Sequence, residues 1–143
     1  MIEFVLSGCP VPWAAARIGR RGAVDPRAQE KLNITWMLKL QAQKKLVHWP
    51  LKGPIKLTCI FYMQIAHTGR IRKKLPIKAE LDHHTKKPDL TNMCKLYEDM
   101  LQRAGILAND SQVVESHLYK FYGEKPSTVI QVDQVLGYPK PPR

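Results

Sequence analysis

KKPDLTNMCKLYEDMLQRAGILANDSQVV, residues 86–114, is the stretch from which the architecture of this chain is read. Between Leu90 and Ala104 the apolar residues Leu90, Met93, Tyr97, Met100, Leu101 and Ala104 recur at helical spacing and form one buried stripe. Asn92, Lys95, Asp99 and Gln102 recur at i, i+3, i+7 and i+10 and form a polar stripe on the opposite side. Asp89 follows Pro88 at the helix start, and Gly105 closes the helix as a left-handed cap. A short loop holding Asn109 and Asp110 comes next, and a strand is expected from roughly 112 to 122.

The same logic extends outward. Ile55, Leu57, Cys59, Phe61, Met63 and Ile65 alternate with Lys56, Thr58, Ile60, Tyr62 and Gln64, which predicts a long strand with one face in the core. Asp25 before Pro26 signals a helix start, the lysines of QAQKKL complement a helix C-terminus, and Pro50, Gly53 and Pro54 stop the chain, so a helix from about 26 to 45 is expected. IEFVLS (2–7) and STVIQVDQ (127–134) read as strands, and the basic, Pro- and Gly-bearing segment between residue 8 and Pro26 reads as a surface loop. The order β-α-β-α-β-β defines a mixed α/β (α+β) domain over residues 1–136, followed by a Pro-rich basic tail, 137–143.

A chain of 143 residues has room for one hydrophobic core. Its 23 Lys and Arg against 12 Asp and Glu give a formal charge of +11, which favours a polyanionic partner, nucleic acid first. No apolar run approaches the roughly 20 residues of a membrane span, and the N-terminus lacks a signal-peptide pattern, so a soluble cytoplasmic protein is expected. The three cysteines, Cys9, Cys59 and Cys94, are far apart and without CxxC spacing, and are expected to be reduced core thiols. From His67 to Lys87 the periodicity is lost in a basic loop. His83 and His84 are adjacent, so in an extended chain their rings point opposite ways and do not share a metal.

In so basic a chain, Asp89 and Asp110 draw attention as hard oxygen ligands for Mg²⁺, an ion commonly held by one or two carboxylates with water and phosphate oxygens completing the shell. A bound metal can activate water and stabilise a phosphodiester transition state, and Lys95 can add positive charge there. By spacing alone a plainer reading is the favoured one, with Asp89 an N-cap, Asp110 a turn residue and Lys95 part of a solvated face.

The run KPDLTNMCKLYEDML followed by GILANDSQVV resembles the signature of the RusA family of Holliday junction resolvases, usually encoded by phages and prophages. The resemblance implies a small homodimeric α/β protein that cuts four-way DNA junctions by paired nicks and depends on Mg²⁺, with Mn²⁺ as a substitute. It implies neither a membrane nor a small-molecule cofactor. On the matching positions it assigns Asp89, Asp110 and Lys95 to catalysis and Asp89, Asp110 and Asp99 to the metal. The pattern departs from better-known members at Thr91 and Asn109, where they have aspartate, and the loss at Thr91 leaves a weakly catalytic or non-catalytic branched-DNA-binding module as the alternative. Phosphate contacts are expected from Arg17, Arg20 and Arg21, from Arg70, Arg72, Lys73 and Lys74, and from Lys86 and Lys87.

Overall fold

The alternation at 55–65 is realised as a strand, Ile55–Gln64, whose buried side chains Ile55, Leu57, Cys59, Phe61 and Met63 all lie on one face. The computed structural model describes residues 1–46, 48–65 and 77–136. In chain order the elements are β1 (Ile2–Ser7), β2 (Arg17–Gly19), β3 (Gly22–Val24), α1 (Ala28–Lys45), β4 (Ile55–Gln64), α2 (Leu90–Arg103), a single 3₁₀ turn (Asp110–Gln112), β5 (Val113–Gly123) and β6 (Ser127–Gln134). The expected mixed α/β class and order of the main elements hold. The basic tail 137–143 and the arginines and lysines at 70–74 lie outside the described residues.

The main sheet has the order β1-β6-β4-β5. β6 runs antiparallel to both β1 and β4, while β5 runs parallel to β4. The expected final strand pair is therefore not a pair, because β4 lies between β5 and β6. The physical reason is the crossover: two parallel strands need a long connection, and α2 supplies it. The chain then returns across the end of β4, and a Cβ on Gly123 would lie 2.8 Å from Tyr62 Cβ, closer than any side chain tolerates. Phe4 and Leu6 of β1, the inward residues of β4, Ile130 and Val132 of β6, and Ile34, Leu38 and Ala42 of α1 join the buried face of α2 in one core. Both helices thus cover one face of the sheet.

α2 forms where expected. Met93, Cys94, Leu96, Tyr97, Met100 and Leu101 are its buried residues, so Cys94 and Leu96 widen the stripe read from sequence. Gly105, at φ 79°, ends it in a Schellman arrangement, with Gly105 N–H donating to Gln102 C=O and Ile106 N–H to Leu101 C=O, both at 3.0 Å. α1 starts two residues later than expected. Asp25 does not cap it: one carboxylate oxygen accepts from the Arg27 N–H at 2.9 Å and the other from Lys31 Nζ at 2.6 Å, which fixes the turn before the helix. That lysine, first among the causes, also lowers the Asp25 pKa.

Two further expectations are corrected. Cys9 is exposed, whereas Cys59 and Cys94 are buried free thiols, and hydrogen bonding with Cys94 together with burial pushes Cys59 well up. The loop after β1 contains a small hairpin, β2–β3, with Arg20 and Arg21 at its turn; three-residue strands are too short to show alternation. Among the described residues no helix is long and apolar enough to cross a membrane.

Candidate functional site

Asp89 occupies the N-cap position of α2 in an extended conformation (φ −69°, ψ 140°), yet its side chain makes no capping hydrogen bond. Its carboxylate is exposed and has no hydrogen-bond partner among the described residues, so capping does not consume it. The segment leading to it is held from β5, where Lys120 Nζ donates to the carbonyls of Lys86 at 2.6 Å and Pro88 at 2.8 Å. Those contacts fix the approach of Lys86 and Lys87, both exposed beside Asp89.

One turn into the helix, the Asn92 carbonyl accepts the backbone N–H of Trp13 at 3.1 Å, and Lys95 Nζ lies 3.7 Å from the centre of the Trp13 ring. The Trp13 backbone thus docks the loop after β1 onto α2, and its indole seats the Lys95 ammonium by a cation–π contact. Helical side chains lean toward the N-terminus, so Lys95 belongs to the Asp89 end. Tyr97 reinforces the dock from beneath, its buried hydroxyl accepting from Val11 N–H at 3.0 Å and Thr128 Oγ1 at 3.3 Å. Burial raises the Tyr97 pKa and keeps the phenol neutral. A groove of about 840 Å³ opens beside Asp89 between this loop, α1 and the start of α2.

Asp110 is built differently. Asn109 caps the 3₁₀ turn with its side-chain oxygen on the Ser111 N–H at 2.9 Å. Gln112 uses its whole side chain: its oxygen accepts from the N–H groups of Ala108 (2.8 Å) and Asn109 (3.0 Å), and its nitrogen donates to the carbonyls of Leu51 (2.9 Å) and Gly53 (3.0 Å). This explains the Asn-Asp-Ser-Gln pattern locally. An oxygen at position 109 is needed for capping, and asparagine supplies it as well as aspartate. The Asp110 N–H donates to Gln102 Oε1 at 3.2 Å, leaving its exposed carboxylate without a hydrogen-bond partner among the described residues. Half-buried Glu98 has its pKa raised by burial first and then by the charges of Asp110 and Asp99, which places an acidic group on this end of α2.

The two ends of the motif are far apart within one chain. At about 1.5 Å per residue, α2 is roughly 20 Å long; Asp89 precedes its first residue and Asp110 is tied to Gln102 in its last turn. Asp89, Asp99 and Asp110 therefore do not meet, and among the described residues no three His, Cys, Asp or Glu side chains are grouped to hold a metal. One end holds Asp89, Lys95, Trp13, Lys86 and Lys87. The other holds Asp110, Asp99, Glu98 and Gln102. Sequence reading missed Trp13, Glu98 and Lys120; only the aromatic in a basic loop offered any signal.

His83 and His84 flank β5 as expected of adjacent residues in an extended segment, one ring 4.8 Å from Phe121 and the other 4.8 Å from Tyr122. Burial, then the charges of Lys120 and Lys86, lower the His84 pKa. Arg17, Arg20 and Arg21 are exposed on the β2–β3 hairpin, beside Ile18, itself 94% exposed.

A family model described as Endodeoxyribonuclease RusA matches residues 8–133, so the fold, the motif helix and the Asp110 turn all fall within it. The chain belongs to the RusA endodeoxyribonuclease family, and membership implies Holliday junction resolution and a branched-DNA substrate. It is also 31% identical over 143 residues to the uncharacterized protein YqaN of Bacillus subtilis (strain 168), a match covering 94% of this chain and 96% of that protein.

Proposed function

We propose that this protein is a Mg²⁺-dependent resolvase that works as a homodimer and cuts four-way DNA junctions by paired nicks, with each metal site shared between two copies. One observation carries the reading: Asp89 and Asp110, both without hydrogen-bonded partners for their carboxylates among the described residues, stand at opposite ends of α2. When two copies set their α2 helices antiparallel about a two-fold axis, the Asp89 end of one meets the Asp110 end of the other, and the operation generates two such places. The donor set suits a hard divalent ion, since exposed aspartate oxygens are its preferred ligands and Mg²⁺ requires only one or two of them.

In this arrangement Asp89 from one copy and Asp110 from the other hold the ion, with Asp99 on the Asp110 side. The ion, when bound, supplies an activated water and charge neutralisation at the phosphate. Lys95 places a fixed positive charge toward the scissile phosphate, and Trp13 holds it in position. Arg17, Arg20 and Arg21 on the hairpin, with Lys86 and Lys87 beside Asp89, contact phosphates and set register. The basic residues Arg70, Arg72, Lys73 and Lys74 are assigned the same role on charge alone. Two cleavage centres related by a two-fold suit a junction nicked on two strands.

Thr91 favours a second reading. A neutral hydroxyl two residues after Asp89 is a weaker metal ligand than carboxylate, so the protein is then a branched-DNA-binding module with little or no cleavage. A synthetic four-way junction incubated with the protein and Mg²⁺ or Mn²⁺ separates the two. Metal-dependent nicking that is lost in Asp89→Asn and in Asp110→Asn supports the resolvase; tight junction binding with no nicking by the unaltered protein selects the module.

A further inference from the structure

The two outer edges of the main sheet are treated differently. On β1, Gln41 of α1 closes the edge, accepting from the Val5 N–H at 3.0 Å and donating to the Val5 carbonyl at 2.7 Å, while Lys45 bonds the Glu3 carbonyl. Side chains thus occupy the backbone groups that another strand would pair with. On β5 the far part of the edge is covered by residues 80–84: Glu80 N–H donates to the Tyr122 carbonyl, Tyr122 N–H to the Asp82 carbonyl and His84 N–H to the Lys120 carbonyl. These bonds also fix the parity of the strand. Lys120 and Tyr122 turn their backbone groups outward, so by the two-residue period Ser116 and Leu118 do too. At Val114 the register with β4 shifts in a bulge, which ends the regular edge. Among the described residues, the outward N–H and C=O groups of Ser116 and Leu118 have no hydrogen-bond partner.

We infer that this window of β5 is the contact between two copies of the chain, which pair antiparallel about a two-fold axis at His117. Ser116 of each copy then hydrogen-bonds with Leu118 of the other, joining two four-stranded sheets into one. The window is self-complementary, as an isologous contact demands. It is also bounded on both sides, by the bulge and by residues 80–84, so one register is favoured. α2 packs against β5 and forms the crossover between β4 and β5, so an axis perpendicular to the sheet places the two copies of α2 side by side, antiparallel, on the same face. The Asp110 turn, just before β5, is thereby carried toward the other copy's Lys120, which grips the carbonyl before Asp89. The inference takes its choice of partner from the shared-site reading above; the edge itself is read from β5 alone.

At the axis His117 faces its own counterpart in a non-hydrogen-bonded pair, where Cα atoms approach to about 4.5 Å, within disulfide range. The test introduces His117→Cys into a Cys9→Ser background, so that the exposed native thiol is absent, and follows mild oxidation by non-reducing electrophoresis. A parallel sample carries Thr58→Cys, on the same sheet face but one strand inward. Light scattering gives the mass of each unoxidised protein. The expected result is a dimer in light scattering and rapid, near-complete disulfide linkage of the His117→Cys protein with little linkage of the Thr58→Cys control. A dimer that does not link at position 117, or that links equally at 58, overturns the β5 contact and directs attention to the exposed α1 stripe of Leu32, Trp36 and Leu40. A monomer, at concentrations where the unaltered protein nicks junctions, overturns both this contact and the shared site.

Discussion

The backbone N–H of Asp110 donates to the side-chain oxygen of Gln102 at 3.2 Å, which fastens the second acidic segment of the motif to the last turn of α2, a full helix away from Asp89. A divalent ion requires both carboxylates within about 2.1 Å of one point. That single contact therefore sets the two acidic segments of a motif continuous in sequence at opposite ends of one helix, which is the basis for proposing a site shared between two copies.

The Asp110 turn depends on Gln112, whose four hydrogen bonds join it to Leu51 and Gly53. Gln112→Ala removes them together and is expected to cost roughly 2–4 kcal/mol, at about 1 kcal/mol each with imperfect additivity. Urea denaturation checks this. Asn109→Asp, by contrast, preserves the cap and is expected to change stability by less than about 0.5 kcal/mol.

Lys95 is positioned by Trp13. Trp13→Ala releases the ammonium while keeping the backbone hydrogen bond to Asn92, so single-turnover nicking at saturating metal is expected to fall on the order of tenfold while the metal concentration for half-maximal rate stays unchanged. Trp13→Phe keeps an aromatic face and is expected to recover most of the rate. A change confined to the metal requirement contradicts this role for Trp13.

The raised pKa of Glu98 gives a pH signature. Burial and the charges of Asp110 and Asp99 favour its protonated form in the folded state, above its ordinary value of 4.5. That contribution to stability is fully present below about pH 4.5 and is lost as pH rises through the folded-state pKa. Glu98→Gln is thus expected to be more stable than the unaltered protein at pH 7 by a few tenths of a kcal/mol, discounted for the half-exposed position, with the gap closing by about pH 4. Thermal melts across that range test the sign.

Arg20 and Arg21 sit at the tip of a hairpin that contributes nothing to the buried core, so their replacement bears on binding and not on folding. Arg20→Ala with Arg21→Ala is expected to lower the slope of log affinity against log salt by about 1.8, near 0.9 per lost phosphate contact, at unchanged melting temperature. Fluorescence titration of a labelled junction over a salt series measures the slope.

The elements with long periodic patterns were legible before any coordinates. β4 shows strict alternation and α2 a continuous stripe, because each must bury one face along its whole length. The β2–β3 hairpin was not legible, since Arg17–Gly19 and Gly22–Val24 bury nothing and so leave no pattern. The placement of β4 between β5 and β6 was equally hidden, because strand periodicity reports which face is buried and not which neighbour is paired. Asp89, Asp110 and Lys95 could be singled out by residue type and by resemblance. What spacing could not reveal is that Asp110 is tied to Gln102 in the last turn of α2, away from Asp89 and Lys95, or that Asn109 and Gln112 are committed to capping and locking the turn.

The shared site has a direct test. Copies carrying Asp89→Asn and copies carrying Asp110→Asn, each inactive alone, are co-expressed and purified together, and nicking of a four-way junction in Mg²⁺ is measured. In a mixed dimer with shared sites, one site receives an intact Asp89 from one copy and an intact Asp110 from the other, while the second site receives neither. Random pairing then restores roughly a quarter of the unaltered nicking rate, as single nicks without the paired cut. Continued inactivity of a mixture shown by mass spectrometry to contain mixed dimers would contradict the shared site, because a site built within one chain lacks one of its aspartates in every copy.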